Sequence, residues 1–487
     1  MIDIREEAGR CLLCENAPCS AVCRKGDPAR GVRAIRFDNP TLAGAWFSPC
    51  TQDDLAAAEQ ACIHYDRPVR LREIAAALPP QANAEKAEKP SLAIRFCGIP
   101  CENPFFLASS AVCTNYEMVS AALKAGWAGV FYKTICRQDI HEVSPRFDAV
   151  RDGRGPFIGF RNMEQLSENP MEMDFDILRR LKRDFPGKVV VASIMGEAEQ
   201  DWIELARMAE DAGVDAVELN FSCPQMRMAG MGSDVGQSAE LVSFYTAFVK
   251  RSVKIPVIPK MTPNIGSVGT VAMGALLAGA DGISAINTIK SVTLSDTSAV
   301  NSRKVVSGYS GKAIKPIALR FILEITKNPL VALPQVSGIG GIETWRDALD
   351  FISLGCRNVQ VCTAVMQYGY RIIDDLVLGL RNYLAEKGID SLETLVGCEL
   401  DRFVRPADLD RETKVFPRFD LDQCIGCGRC YISCRDGGHQ AIRFDADRRP
   451  RLIGTKCVGC HLCRLVCPMD AIGQARRMPI TQDPLSA

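Results

Sequence analysis

Between residues 92 and 397 the sequence alternates short apolar runs with amphipathic helical segments, eight times over. The runs are Phe105–Ser109, Gly129–Lys133, Val189–Ile194, Ala216–Asn220, Val257–Lys260, Gly282–Ile286, Gln335–Gly338 and Val359–Thr363. Strands covered on both faces read as unbroken hydrophobic stretches. Helical segments such as Asp201–Ala212 and Val268–Ala278, each followed by a glycine, separate them. Eight such units in about 300 residues are the tally of an α/β (β/α)8 TIM barrel. A doubly wound open sheet is the alternative, but it usually carries a glycine-rich fingerprint after its first strand, and the chain has no G-x-G-x-x-G.

A barrel puts its chemistry at the C-terminal ends of its strands. Those ends read Ser109, Lys133-Thr134, Asn220-Phe221-Ser222-Cys223, Lys260, Asn287-Thr288, Gly340-Gly341 and Thr363. Loop composition alone does not account for two lysines at the ends of apolar strands. Gly338 to Ile342, with a helix expected to open at Glu343, reads as a backbone cradle for a phosphate. Gly230, Gly232 and Gly236 read as a loop that closes over a ligand. Cys223 is either a buried structural cysteine or an acid, because a thiol with a reference pKa of about 8.5 holds its proton near neutrality.

The chain has 22 cysteines, six of them between positions 11 and 62 and eight between 424 and 467. The second group is a doubled run with matched spacing, the bacterial ferredoxin pattern for two 4Fe–4S clusters, in which the fourth cysteine of each run serves the other cluster. Cys424, Cys427, Cys430 and Cys467 are therefore assigned to one cluster, and Cys457, Cys460, Cys463 and Cys434 to the other. The first group, Cys11, Cys14, Cys19, Cys23, Cys50 and Cys62, also suits a metal centre, with zinc competing against iron–sulfur. The expected organisation is a small α-helical iron–sulfur domain (1–78), a linker (79–91), the barrel (92–397), a connector (398–415), a C-terminal bacterial ferredoxin-like domain (416–475) and a loose polar tail (476–487).

Basic and acidic residues balance at 58 each, which argues against binding nucleic acid or an anionic membrane. The sequence shows no apolar run of membrane-spanning length, and its polar start does not resemble a signal peptide, so a cytoplasmic location is expected. Disulfides are rare there.

Residues 92–475 resemble the pyrimidine-reducing part of dihydropyrimidine dehydrogenases, in particular the bacterial NAD-dependent catalytic subunits. The resemblance is carried by Asn103-Pro104-Phe105, Gly126-Trp127, Lys133-Thr134, Val143 to Arg146, Asn162-Met163-Glu164, Ala192 to Met195, Asn220 to Pro224, Lys260 to Asn264, Ile286 to Thr288, Gly308 to Lys312, Pro316 to Arg320 and the twin cysteine runs. It implies FMN at the barrel mouth, held by Ala108, Ser109, Lys133, Thr134, Lys260, Gly311, Gly340, Gly341, Cys362 and Thr363. It also implies a pyrimidine held by Asn162, Asn220, Ser222, Asn287 and Thr288, with Cys223 as proton donor. Asparagine carries both a donor and an acceptor and so suits a cyclic amide, and Lys260 suits the charge of a reduced flavin.

Residues 1–78, through Arg10 to Cys14, Ala17-Pro18-Cys19 and Cys23, resemble the iron–sulfur domain of glutamate synthase small subunits and of the partner flavoprotein. Cys11, Cys14, Cys19 and Cys62 complete one cluster, and Cys23 and Cys50 remain for a second that lacks further ligands. The expected activity is reduction of uracil or thymine, or the reverse, fed by a separate NAD(P)H-oxidising flavoprotein or a ferredoxin in a homodimer or hetero-oligomer. Dihydroorotate oxidation and a non-catalytic electron-transfer subunit are the alternatives.

Overall fold

A computed structural model describes residues 3–78, 90–151, 156–223, 232–294, 305–328 and 333–480. The linker residues 79–89, together with Pro224, Gly230 and the tail from 481, lie outside the described residues. The chain forms two compact units, Met1–Leu400 and Asp401–Ala487.

The first unit holds a closed barrel of eight parallel strands. They are β1 (Phe105–Leu107), β2 (Gly129–Phe131), β3 (Val189–Ile194), β4 (Ala216–Asn220), β5 (Val257–Lys260), β6 (Ile283–Ala285), β7 (Val336–Ile339) and β8 (Cys356–Val361). Each pairs with its neighbour in chain order, and β8 pairs with β1 to close the ring. All eight expected strands are present. Helices such as Glu199–Asp211 and Gly269–Leu277 sit between them, and Gly213 and Gly279 follow in left-handed conformations (φ +79° and +99°) that glycine adopts without strain.

The helix after β7 runs Trp345–Ser353, two residues later than expected. Thr344 and Asp347 form a capping box there, and Asp347 accepts from the Glu343 and Thr344 amides at 3.0 and 2.8 Å. Those amides are thereby withdrawn from any phosphate cradle.

Four short strands also form an antiparallel sheet in the order Ile289–Ser291, Ser307–Ser310, Phe157–Asn162, Phe147–Arg151. It brings Asn162 beside Gly308, and Arg161 is tied to Ser307 and the Val305 carbonyl.

Residues 4–77 form six short helices around an apolar core that includes Val32, Ile35, Phe47, Leu55 and Ile74. This module is packed on the barrel's helices. Asn39 donates to the Asp375 carbonyl at 3.0 Å, Trp345 donates to the Asp38 carbonyl at 3.0 Å, and Phe37 stacks edge-on against Tyr368 at 5.2 Å.

In the second unit, Thr413–Phe419 pairs antiparallel with Ile472–Pro479. Residues 476–479, expected in the loose tail, are therefore part of a strand, and Thr413, expected in the connector, begins its partner. Among the described residues no helix is long and apolar enough to cross a membrane.

Candidate active site

A pocket opens at the C-terminal ends of the barrel strands. It is lined by every expected cofactor position, by Asn162, Asn220, Asn287 and Thr288, and by Cys223 and Lys260. Ser222 is the exception among the expected site residues. It lies fully buried behind the wall, donating to Asn220 Oδ1 and accepting from Asn287 Nδ2, both at 2.8 Å. The small antiparallel sheet contributes Asn162, Ser310 and Gly311, positions that the strand count alone did not place.

Both lysines are buried and ion-paired. Lys133 lies 3.2 Å from Glu164, and Lys260 lies 3.4 Å from Glu218, which is itself fully buried. Sequence reading passed over both carboxylates. Glu164 was visible inside a quoted motif, whereas Glu218 was masked by the apolar run of β4. Alternation along a strand puts Glu218 and Asn220 on the same, inward face. In register beside Glu218 stands Ser193 on β3, whose hydroxyl donates to Glu218 Oε1 at 2.9 Å.

The Gly340-Gly341 turn has φ values of +133° and +76°. A Cβ at Gly341 would come within 2.9 Å of the Gly311 carbonyl and of Lys315, so the turn packs closely there and admits only glycine. The helix Thr363–Tyr368, whose first residues also line the pocket, starts at Cys362 with no side-chain cap, leaving its first amides for a ligand. Burial pushes the Cys362 thiol and the Glu343 carboxyl upward. Glu343 Oε1 and Gln360 Oε1 are buried without a hydrogen-bond partner and line this pocket. A glycine turn, uncapped amides, two lysines and unmet polar atoms fit a polar, phosphate-bearing cofactor.

Gly236 departs from its expected role. It lies in the short helix Ser233–Gly236, where a Cβ would meet the Phe221 carbonyl at 2.0 Å. It permits close packing under the Cys223 segment instead of hinging a loop. The Ser233 amide donates to the Cys223 carbonyl at 3.0 Å, tying the segment's two ends together.

The cysteines gather around three apolar voids. Cys424, Cys427, Cys430 and Cys467 line one of about 370 Å³, and Cys434, Cys457, Cys460 and Cys463 line one of about 340 Å³. In the first unit Cys11, Cys14, Cys19 and Cys62 line a third of about 450 Å³. Cys23 and Cys50 lie outside that lining, with their thiols within hydrogen-bonding reach of each other. Among the described residues no three His, Cys, Asp or Glu side chains close on a single metal ion.

Parallel barrel, mouth pocket and paired four-thiol voids together define a class: residues 91–384 match the dihydroorotate dehydrogenase family model and residues 418–473 the 4Fe-4S dicluster domain model. The chain belongs to the dihydroorotate dehydrogenase family. More particularly, it is 54% identical over 389 residues to the NAD-dependent dihydropyrimidine dehydrogenase subunit PreA of Escherichia coli K12, covering 78% of this chain and 94% of that one. The chloroplastic dihydropyrimidine dehydrogenase (NADP(+)) of Arabidopsis thaliana is 36% identical over 344 residues, 67% of this chain and 81% of that one. The catalytic subunit of dihydroorotate dehydrogenase B (NAD(+)) from Pyrococcus abyssi is 35% identical over 317 residues, 63% of this chain and 99% of that one.

Proposed function

We propose that this chain is a dihydropyrimidine dehydrogenase subunit that interconverts uracil or thymine and the 5,6-dihydropyrimidine. The observation that carries this reading is 54% identity to such a subunit across nearly its whole length, with Asn162, Asn220, Asn287, Cys223 and Lys260 gathered in one pocket. FMN, held by the Gly340-Gly341 turn, Gly311, Ser109, Lys133 and the start of the helix at Thr363, supplies hydride chemistry at one carbon of the ring's double bond. Cys223, 5% exposed beside the pocket, holds the proton for the neighbouring carbon. Buried asparagines pair the ring's polar edges and reject rings that would leave them unmet. Glu164 shares the wall with Asn162 and compensates Lys133.

The C-terminal cysteines hold two 4Fe–4S clusters in the crossed assignment, and Cys11, Cys14, Cys19 and Cys62 hold one more. Electrons come from a separate NAD(P)H-oxidising flavoprotein or a ferredoxin. Both pocket lysines already face a protein carboxylate, which suits a neutral ring better than dihydroorotate with its own carboxylate. An anaerobic flavin titration with dihydrouracil, dihydrothymine and dihydroorotate tests this. Bleaching by the first two is expected; bleaching by dihydroorotate alone would overturn it.

A further inference from the structure

A single hydrogen-bonded chain runs from Lys260 to the asparagines of the pocket. Lys260 Nζ meets Glu218 Oε1 at 3.4 Å, and Ser193 Oγ meets the same oxygen at 2.9 Å. Ser193 Oγ lies 3.0 Å from Thr134 Oγ1, which in turn lies 2.9 Å from Asn220 Nδ2 and 3.1 Å from Ser109 Oγ. Apart from Ser109, every one of these side chains is 5% exposed or less.

The direction of each bond follows from the ends. Glu218, ion-paired with Lys260, only accepts, so Ser193 spends its proton on Glu218. Thr134 then donates to Ser193, and its oxygen accepts from Asn220 Nδ2 and from Ser109. The far end is held in the same sense by backbone amides, so the relay and these amides act together on Asn220. Ser222 N–H donates to Asn220 Oδ1 at 3.2 Å, and Thr288 N–H donates to Asn287 Oδ1 at 2.8 Å. The second Asn220 contact is the Ser222 hydroxyl, which accepts from Asn287 Nδ2. Asn220 Oδ1 accepts twice, from the Ser222 amide and hydroxyl, and its Nδ2 donates once to Thr134, so what Asn220 has left for a ligand is one N–H. Asn287 Oδ1 accepts only once and keeps a lone pair beside its second N–H.

We infer that Glu218 and Ser193 are positioning residues that polarise this chain, so that Asn220 presents a donor to a carbonyl oxygen of the bound ring. This rests on the reading of the pocket as a pyrimidine site and sharpens it: an asparagine that could have offered either group is committed to one. Neither residue need touch the ring. Ser193 acts through Thr134 and Asn220, and Glu218 acts through Ser193.

The test compares calorimetric binding of uracil, 2-thiouracil and 4-thiouracil to the flavin-loaded protein, since sulfur accepts a hydrogen bond less well than oxygen. The wild-type chain should prefer uracil over at least one thio analogue by about tenfold, the equivalent of one hydrogen bond. Ser193→Ala, which breaks the relay but keeps the Lys260–Glu218 pair, should bring that ratio towards one without moving the flavin midpoint potential. Glu218→Gln should change both, because it also leaves Lys260 unpaired. Ser193→Cys, with a weaker donor, should fall between serine and alanine and covers the case of a variant that does not fold. An unchanged analogue ratio in folded Ser193→Ala or Ser193→Cys protein overturns the relay while leaving the pyrimidine reading intact. A wild-type chain that binds no uracil overturns both.

Discussion

The two cysteine-rich ends of this chain solve the same problem in different ways. In the C-terminal unit half of the buried core is thiols: Cys430, Cys434, Cys457 and Cys463 are four of its eight buried members, beside Phe416, Ala441, Ile442 and Ile472. In the N-terminal module the buried core contains no cysteine; Val32, Ile35, Phe47, Leu55, Leu71 and Ile74 pack together, and the thiols lie at its edge. A small domain that cannot bury enough apolar surface needs a covalent or metal staple, and the C-terminal unit has built its core from that staple. The N-terminal module has a core of its own and leans on the barrel as well, so the cluster proposed for its thiols would be an addition to a fold that already stands.

The largest effect that would test this contrast is iron removal. Chelation under reducing conditions should unfold the C-terminal unit altogether, with a loss on the order of its whole stability, about 5 kcal/mol or more. Hydrogen exchange should then become fast in Thr413–Phe419 and Ile472–Pro479 and stay slow in the helix Pro28–Arg36. Equal loss of protection at both ends would break the comparison.

Next in size is the iron count. Three clusters give about twelve iron atoms per chain. Cys62→Ala should remove about four of them and leave the N-terminal helices in place by circular dichroism. Cys23→Ala should remove none, because Cys23 and Cys50 face each other outside the four-thiol void. Iron loss in Cys23→Ala would make that pair cluster ligands and end the one-cluster reading.

Legibility in the sequence followed how local each signal was. The eight strands were readable because a buried parallel strand must be apolar along its length, and all eight runs hold. Spacing grouped the C-terminal cysteines into the two crossed sets that line separate pockets, whereas the quartet of Cys11, Cys14, Cys19 and Cys62, which lines a third, came from the resemblance and not from spacing. Glu218 and Ser193 were missed because their neighbours in sequence are apolar and their partners lie on other strands. The antiparallel sheet escaped because its strands come from segments more than a hundred residues apart. The helix after β7 was placed too early because glycines drew attention from Thr344 and Asp347, a capping pair written plainly in the chain. Gly236 was read as freedom when it serves close approach.

How the N-terminal module leans on the barrel is open to a pH test. Asp375 on the helix Ile372–Lys387 is 3% exposed, and burial pushes its carboxyl up to about 6 despite Arg33 Nε 2.8 Å away. A carboxyl whose folded pKa exceeds its unfolded value of 3.8 stabilises the fold fully below that value. It loses the contribution as pH rises through 6. Asp375→Asn should therefore be more stable than wild type at pH 7, by at most about 3 kcal/mol, and should converge with it below pH 4. A chemical denaturation series across that range checks it; a variant less stable at pH 7 would mean that the Arg33 pair outweighs burial.

The smallest effects should come from the rim of the same contact, and they distinguish packing from charge as its source of strength. Asp38 faces both Arg5, 71% exposed at its side chain, and Arg346, 56% exposed, while its carbonyl accepts from the Trp345 indole at 3.0 Å. Exposed ion pairs are screened and entropically costly, so Arg346→Ala should cost no more than about 0.5 kcal/mol. Trp345 is 5% exposed and stacks on Tyr383 at 5.3 Å. Trp345→Phe keeps an aromatic ring but removes the indole N–H that reaches the Asp38 carbonyl, and should cost about 1–2 kcal/mol. If Arg346→Ala proves the more damaging at low salt, and its cost fades in 0.5 M salt, where rim charges are screened, then the module is held by its charged edge, and the independence ascribed to its apolar core would have to be given up.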